Sequence, residues 1–136
     1  MELLKTGASK LGVTLSEHQL DQFETYFHEL EYWNKRANLT AIIEYEAVQV
    51  KHFVDSLTVC LTAGEVLTAS DQVPTRIMDV GAGAGLPGLA LKIAFPEIEL
   101  ALVESVAKKT AFMRHIVDTL GLTDVAVYTG RAEELA

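Results

Sequence analysis

The stretch Asp79-Val80-Gly81-Ala82-Gly83-Ala84-Gly85-Leu86-Pro87-Gly88 restricts the folds open to this chain more than any other. Three glycines alternate at 81, 83 and 85. They follow the short apolar run Ile77-Met78-Asp79-Val80 and precede residues 86–95, which suit a helix stopped by Pro96. A strand, then glycines, then a helix is the ligand-binding turn of parallel α/β proteins. Without Cβ atoms the backbone bends tightly, and its N–H groups approach a bound molecule. Residues 98–103 read as a second strand, 107–120 as a second helix closed by Gly121, and 124–128 as a third strand. This β-α-β-α-β order with short loops predicts an α/β fold with parallel strands.

Two cofactors compete for such a turn. Gly83-x-Gly85-x-x-Gly88 satisfies the dinucleotide pattern, and Glu104 lies about 20 residues on, where a ribose-binding acid belongs. That pattern points to a nicotinamide-dependent oxidoreductase half-domain. The other register takes Gly81, directly after the strand, as the first turn glycine. It then reads Gly81-x-Gly83-x-Gly85 behind Asp79, and the third glycine comes too early for a dinucleotide. This register suits S-adenosylmethionine, whose ammonium a carboxylate such as Asp79 balances. Glu104, at the end of the second strand, then accepts the ribose hydroxyls. The spacing favours the methyl donor. A noncatalytic interaction module on a degenerate fold is the remaining class.

The N-terminal half reads as helices. Residues 3–11 form a short one, ending near Gly12. Ser16-Glu17-His18-Gln19 has the form of a capping box, with Ser16 at the cap and Gln19 at the third position. Leu20, Phe23, Tyr26, Phe27, Leu30 and Trp33 then recur at helical spacing, predicting a helix over 17–36 whose stripe packs in the core. A further helix is expected over 45–63. His52 and Asp55 lie three apart on it, but no third ligand is near in sequence, so a local polar contact is expected rather than a metal site. Residues 64–74 mix small, polar and breaker residues and read as a linker. This divides the chain into a helical cap, 1–73, and the first half of a Rossmann-type domain, 74–136.

The chain has 136 residues, and no apolar run long enough to span a bilayer. Cys60 is the only cysteine, which excludes an internal disulfide and multi-cysteine zinc sites. With no secretory leader pattern, a cytoplasmic location is expected. The net charge of −8 argues against nonspecific polyanion binding by the chain as a whole, though a local basic patch remains compatible with it.

The same residues carry a family resemblance. Trp33-Asn34-Lys35 with Asn38-Leu39-Thr40, Lys51-His52-Phe53-Val54-Asp55-Ser56-Leu57, the glycine turn with its Leu86-Pro87-Gly88 extension, Glu104-Ser105 with Lys108-Lys109 and Phe112, and Gly130-Arg131-Ala132-Glu133-Glu134 resemble the glucose-inhibited division protein B family. These are bacterial methyltransferases of guanine N7 in small-subunit ribosomal RNA. The resemblance implies S-adenosylmethionine as cofactor, with contacts at Gly81 and Leu86, an acidic ribose or adenosine partner at Glu104, and adenine-side contacts at Ala132 and Glu133. Lys109 and Arg131 become candidates for RNA or cofactor contact. The implied partner is the small-subunit ribosomal RNA or ribosomal particle. Guanine N7 carries no proton, so no catalytic base is assigned. Family members continue with further strands, so these residues are expected to form only part of the domain. An unpaired strand edge is then expected, and with it self-association.

Overall fold

The computed structural model describes residues 1–59, 76–131 and 133. The expected linker, the division at 73/74 and Ala132 lie outside them. Helix α1 spans Glu2–Lys10 and buries Leu4 and Ala8. Helix α2 spans Glu17–Ala37 and starts on the expected capping box. Gln19 N donates to Ser16 Oγ at 3.1 Å, and Ser16 N donates to Gln19 Oε1 at 2.8 Å. The Gln19 amide nitrogen also donates to the carbonyls of Ile93 and Ala94, so one side chain serves two helix ends.

Helix α2 inserts Phe23, Tyr26, Phe27 and Leu30 into the core. The Phe53 ring meets Phe23 at 4.9 Å and Tyr26 at 5.2 Å, and Phe112 lies 6.2 Å from Tyr26. Aromatic pairs at these tilted separations join the N-terminal helices to the α/β part. The helix expected over 45–63 is helical from 45 to 57, but not uniformly. Helix α3, Tyr45–Val48, passes through a π-helical segment, Gln49–Val54, into α4, Asp55–Leu57. Residues 60–63 are outside the described part. Buried Gln49 accepts the Leu4 N–H at 3.2 Å, satisfying an otherwise orphaned donor in the first turn of α1.

Strands β1 (Arg76–Val80), β2 (Glu99–Glu104) and β3 (Val125–Thr129) pair in parallel in the order β1-β2-β3. Asp79 lies opposite Leu102, and Glu104 opposite Thr129. Helix α5, Gly88–Ala94, follows β1, and α6, Ala107–Leu120, follows β2. Both cover the same face of the sheet. Gly88 packs against Asp79 and Leu102, while Thr110 Oγ1 lies 2.9 Å from Thr129 Oγ1. On the other face Met78 is 64% exposed and Val80 58%, while Val103 is buried. Among the described residues, β1 has a strand on one side only.

Lys92 is 2% exposed, although every other residue of its helix is glycine or apolar. Its Nζ donates to the carbonyls of Pro96 and Ile98, both at 2.6 Å, and so closes the α5–β2 connection. Burial lowers its pKa, opposed by the charges of Asp124, Glu97 and Glu99. Replacing it with Met removes the donor from the buried Ile98 bond and from the part-buried Pro96 carbonyl. The Lys92→Met variant is expected to lose about 2–4 kcal/mol of stability in urea unfolding.

Candidate cofactor-binding site

The site is built where β1 ends. Gly81 N and Ala82 N both donate to the Val103 carbonyl, at 2.8 and 3.3 Å, which bends the chain across the end of β2. Gly81, Gly83 and Gly85 take φ values of +73°, +58° and +92°, a region costly for residues with a Cβ. Residues 81–87 are therefore a turn, and α5 starts two residues later than expected. Gly85 is also tightly enclosed: a Cβ there would stand 2.4 Å from Leu89 Cδ1 and 2.9 Å from the Tyr26 hydroxyl. At Gly81 the space is open, with no atom within 4 Å of the same test position.

Side chains from three elements hold the turn. From β2, Glu104 Oε1 accepts the Gly83 N–H and its Oε2 accepts the Val106 N–H, each at 2.9 Å. From β1, Asp79 Oδ2 accepts the Gly88 N–H at 2.9 Å. From α2, the Tyr26 hydroxyl donates to the Ala84 carbonyl at 2.6 Å. The electrostatics follow these partners. Burial pushes the Glu104 carboxyl up, but the N–H groups of Val106 and Gly83 and the charge of Lys109 outweigh it. The net result lies below the usual carboxylate range. Asp79 is raised by burial, only partly offset by the Gly88 N–H. Burial, reinforced by Asp79, pushes the Tyr26 phenol well up, so it stays a neutral donor.

A cleft of about 200 Å³ opens over this turn, lined by Gly81, Glu104, Ser105, Gly130, Arg131 and Glu133 among others. The Gly130 N–H donates to the Glu104 carbonyl at 2.9 Å, which returns the chain after β3 to the cleft. The structure thus brings together Gly81, Glu104, Arg131 and Glu133, with Gly83 bonded to Glu104. Lys109 is near enough to act on Glu104 by its charge. Gly85 and Leu86 lie behind the lining, and Asp79 faces α5 rather than the cleft. His52 makes a local contact, with Nε2 2.8 Å from Thr40 Oγ1. Tyr26 is the functional residue that sequence reasoning assigned only to the core. A tyrosine within a phenylalanine stripe signals a hydroxyl that needs a buried partner.

Parallel strands, a glycine turn after the first and an acid closing the second define the nucleotide-cofactor half of a Rossmann-type domain. The chain belongs to the rRNA small subunit methyltransferase G family, whose family model matches residues 19–136. It is 47% identical over 133 residues to a Roseiflexus sp. (strain RS-1) protein named ribosomal RNA small subunit methyltransferase G, covering 98% of this chain and 54% of that protein. A Dehalococcoides mccartyi (strain CBDB1) protein of the same name is 47% identical over 136 residues, covering 100% of this chain and 55% of its own. One from Halalkalibacterium halodurans is 46% identical over 125 residues, covering 92% and 50%. The chain spans about half the length of these curated relatives.

Two outcomes test the clamps. Tyr26→Phe strands the Ala84 carbonyl and is expected to cost about 1–2 kcal/mol in denaturant unfolding. For Glu104, the folded-state pKa is depressed, so its stabilisation is present above the unfolded value and lost as pH falls through the folded one. The stability advantage of the wild type over Glu104→Gln should therefore hold at neutral pH and shrink below about pH 4.3. Unfolding curves across an acid series read this directly.

Proposed function

We propose that this chain forms the S-adenosylmethionine-binding part of an enzyme that methylates guanine N7 in small-subunit ribosomal RNA. The observation that carries the reading is the Glu104 carboxylate, fixed at the turn by two backbone N–H groups and bordering the cleft beside Gly81. Oε1 keeps a lone pair beyond its bond to Gly83, and Oε2 accepts, besides Val106 N–H, only a long 3.5 Å bond from the Ser105 hydroxyl that a ribose hydroxyl can displace, which suits a vicinal pair of ribose hydroxyls. The open space at Gly81 admits a ligand against the backbone. Gly83, Gly85 and Leu86 shape the turn. Asp79 contributes by anchoring Gly88. Ala132 and Glu133 are assigned to the adenine side, and Lys109 and Arg131 to phosphate or cofactor contact.

The dinucleotide alternative is disfavoured by the same geometry. A pyrophosphate needs the N–H groups at the start of the helix after the glycines. Here Gly88 N–H is held by Asp79, and Leu89 N–H by the Gly85 carbonyl at 2.6 Å. A carboxylate at that position also repels phosphate.

When bound, the sulfonium cofactor supplies an electrophilic methyl group. Guanine N7 has an in-plane lone pair and no proton, so the protein's task is alignment and exclusion of water, with no base required. The cleft is smaller than the roughly 300–1,000 Å³ of a complete small-molecule pocket, so these residues form one wall of the site. We expect the 136 residues alone to bind cofactor and to turn over ribosomal RNA poorly. Strand β1, at the end of the sheet among the described residues and with Met78 and Val80 exposed, supports self-association through that edge. Sedimentation of Met78→Lys, expected to shift toward monomer, tests that point.

Calorimetry with S-adenosylhomocysteine and with NADH tests the main reading. Homocysteine-product binding is expected, with NADH silent. Gly81→Arg should abolish it, and Glu104→Ala should weaken it at least tenfold while the circular dichroism is retained. Preference for NADH would transfer the site to the oxidoreductase class. Indifference to Gly81→Arg would favour an interaction module.

A further inference from the structure

We infer that the groove between α2 and α6 is a seat for single-stranded RNA, placed beside the cofactor cleft. This rests on the reading that the whole protein acts on RNA. The two helices run antiparallel: Gln22 reaches the Leu120 carbonyl at one end, and Glu29 meets His115 at 2.8 Å midway. At the other end, Arg36 and Lys108 line a cavity of about 710 Å³ with Tyr32 and Trp33. Lys108 stands in the first turn of α6, which begins three residues after Glu104. That end of the groove therefore lies at the carboxyl edge of the sheet, on the side where the cofactor cleft opens.

The chemistry of the groove fits unstacked bases on a phosphate backbone. Tyr32 is 55% exposed, and the Arg36 guanidinium sits 5.5 Å from its ring centroid. Trp33 is held in place, 5.7 Å from the Phe112 ring and 5.1 Å from that of His115, and is only partly covered. Exposed aromatic faces beside a planar guanidinium are what single-stranded nucleic acid stacks on. Glu29 is engaged by His115, and among the described residues no carboxylate pairs with Arg36 or Lys108. The chain carries −8 overall, so two cations without a carboxylate partner at one end of the groove, with its one lining carboxylate, Glu29, held by His115, select an anionic partner there. Compared with the cleft over Gly81, this groove is more than large enough for a base.

Trp33 is the only tryptophan of the chain, so its emission reports on this groove alone. Titration of the 136-residue protein with a short single-stranded oligoribonucleotide is expected to quench it saturably, with affinity falling as salt rises. The matching duplex should bind at least fivefold more weakly. Arg36→Glu and Lys108→Glu should each weaken single-strand binding at least fivefold, with melting temperature and S-adenosylhomocysteine affinity unchanged. Absence of quenching, quenching that survives both reversals, or equal affinity for duplex would overturn the inference. The two readings separate cleanly. Cofactor binding without RNA binding sinks this one alone. RNA binding without cofactor binding sinks the cofactor assignment.

Discussion

A nearly buried carboxylate that answers two backbone amides holds this structure's cofactor end together. Glu104 is 7% exposed, and such a group is costly to bury unless donors surround it. The Gly83 and Val106 N–H groups meet that need, and in doing so they fix the glycine turn to the end of β2 and to the entrance of α6. The turn's other restraints come from two further elements: Asp79 of β1 holds the start of α5, and Tyr26 of α2 holds Ala84. Helix α2 is thus not an appendage. Its tyrosine donates the hydrogen bond that closes the turn's inner side.

Much of this was legible in residue pattern. Periodicity located α2, its capping box, the parallel strands and α6, because each signal is local and repeated. The turn glycines and Glu104 stood out because strand, breaker, helix and acid follow at fixed spacing. What escaped depends on partners distant in sequence. Tyr26 reads as one more aromatic until Ala84 is beside it. Lys92 reads as a surface cation until the carbonyls of Pro96 and Ile98 surround it. Helix α5 starts at Gly88, past Leu86 and Pro87, where Asp79 from β1 takes up the first N–H. Asp79, read as a partner for the cofactor's ammonium, also holds the Gly88 N–H, a contact that spacing alone does not announce. The π-helical turn around Gln49 has no period to announce it, since its logic is a side chain reaching α1.

On the proposed reading, the distribution of charge reconciles an acidic chain with an RNA partner. One face of the sheet carries both helices and, beyond them, the cap; the other exposes Met78, Val80 and Tyr128. The two proposed sites lie toward the carboxyl edge of the strands: the small cleft bordered by Glu104, Glu133 and Arg131, and the larger groove with Arg36 and Lys108 at its end. On the proposed reading, the first would take the sulfonium and the second an RNA strand.

The most direct test of the cradle is an amide chemical-shift titration with S-adenosylhomocysteine. The account predicts the largest shifts at Gly81, Gly83 and the residues flanking Glu104, with Gly88 little changed. Shifts centred on Gly88 and Leu89, or confined to residues remote from the turn, would contradict it.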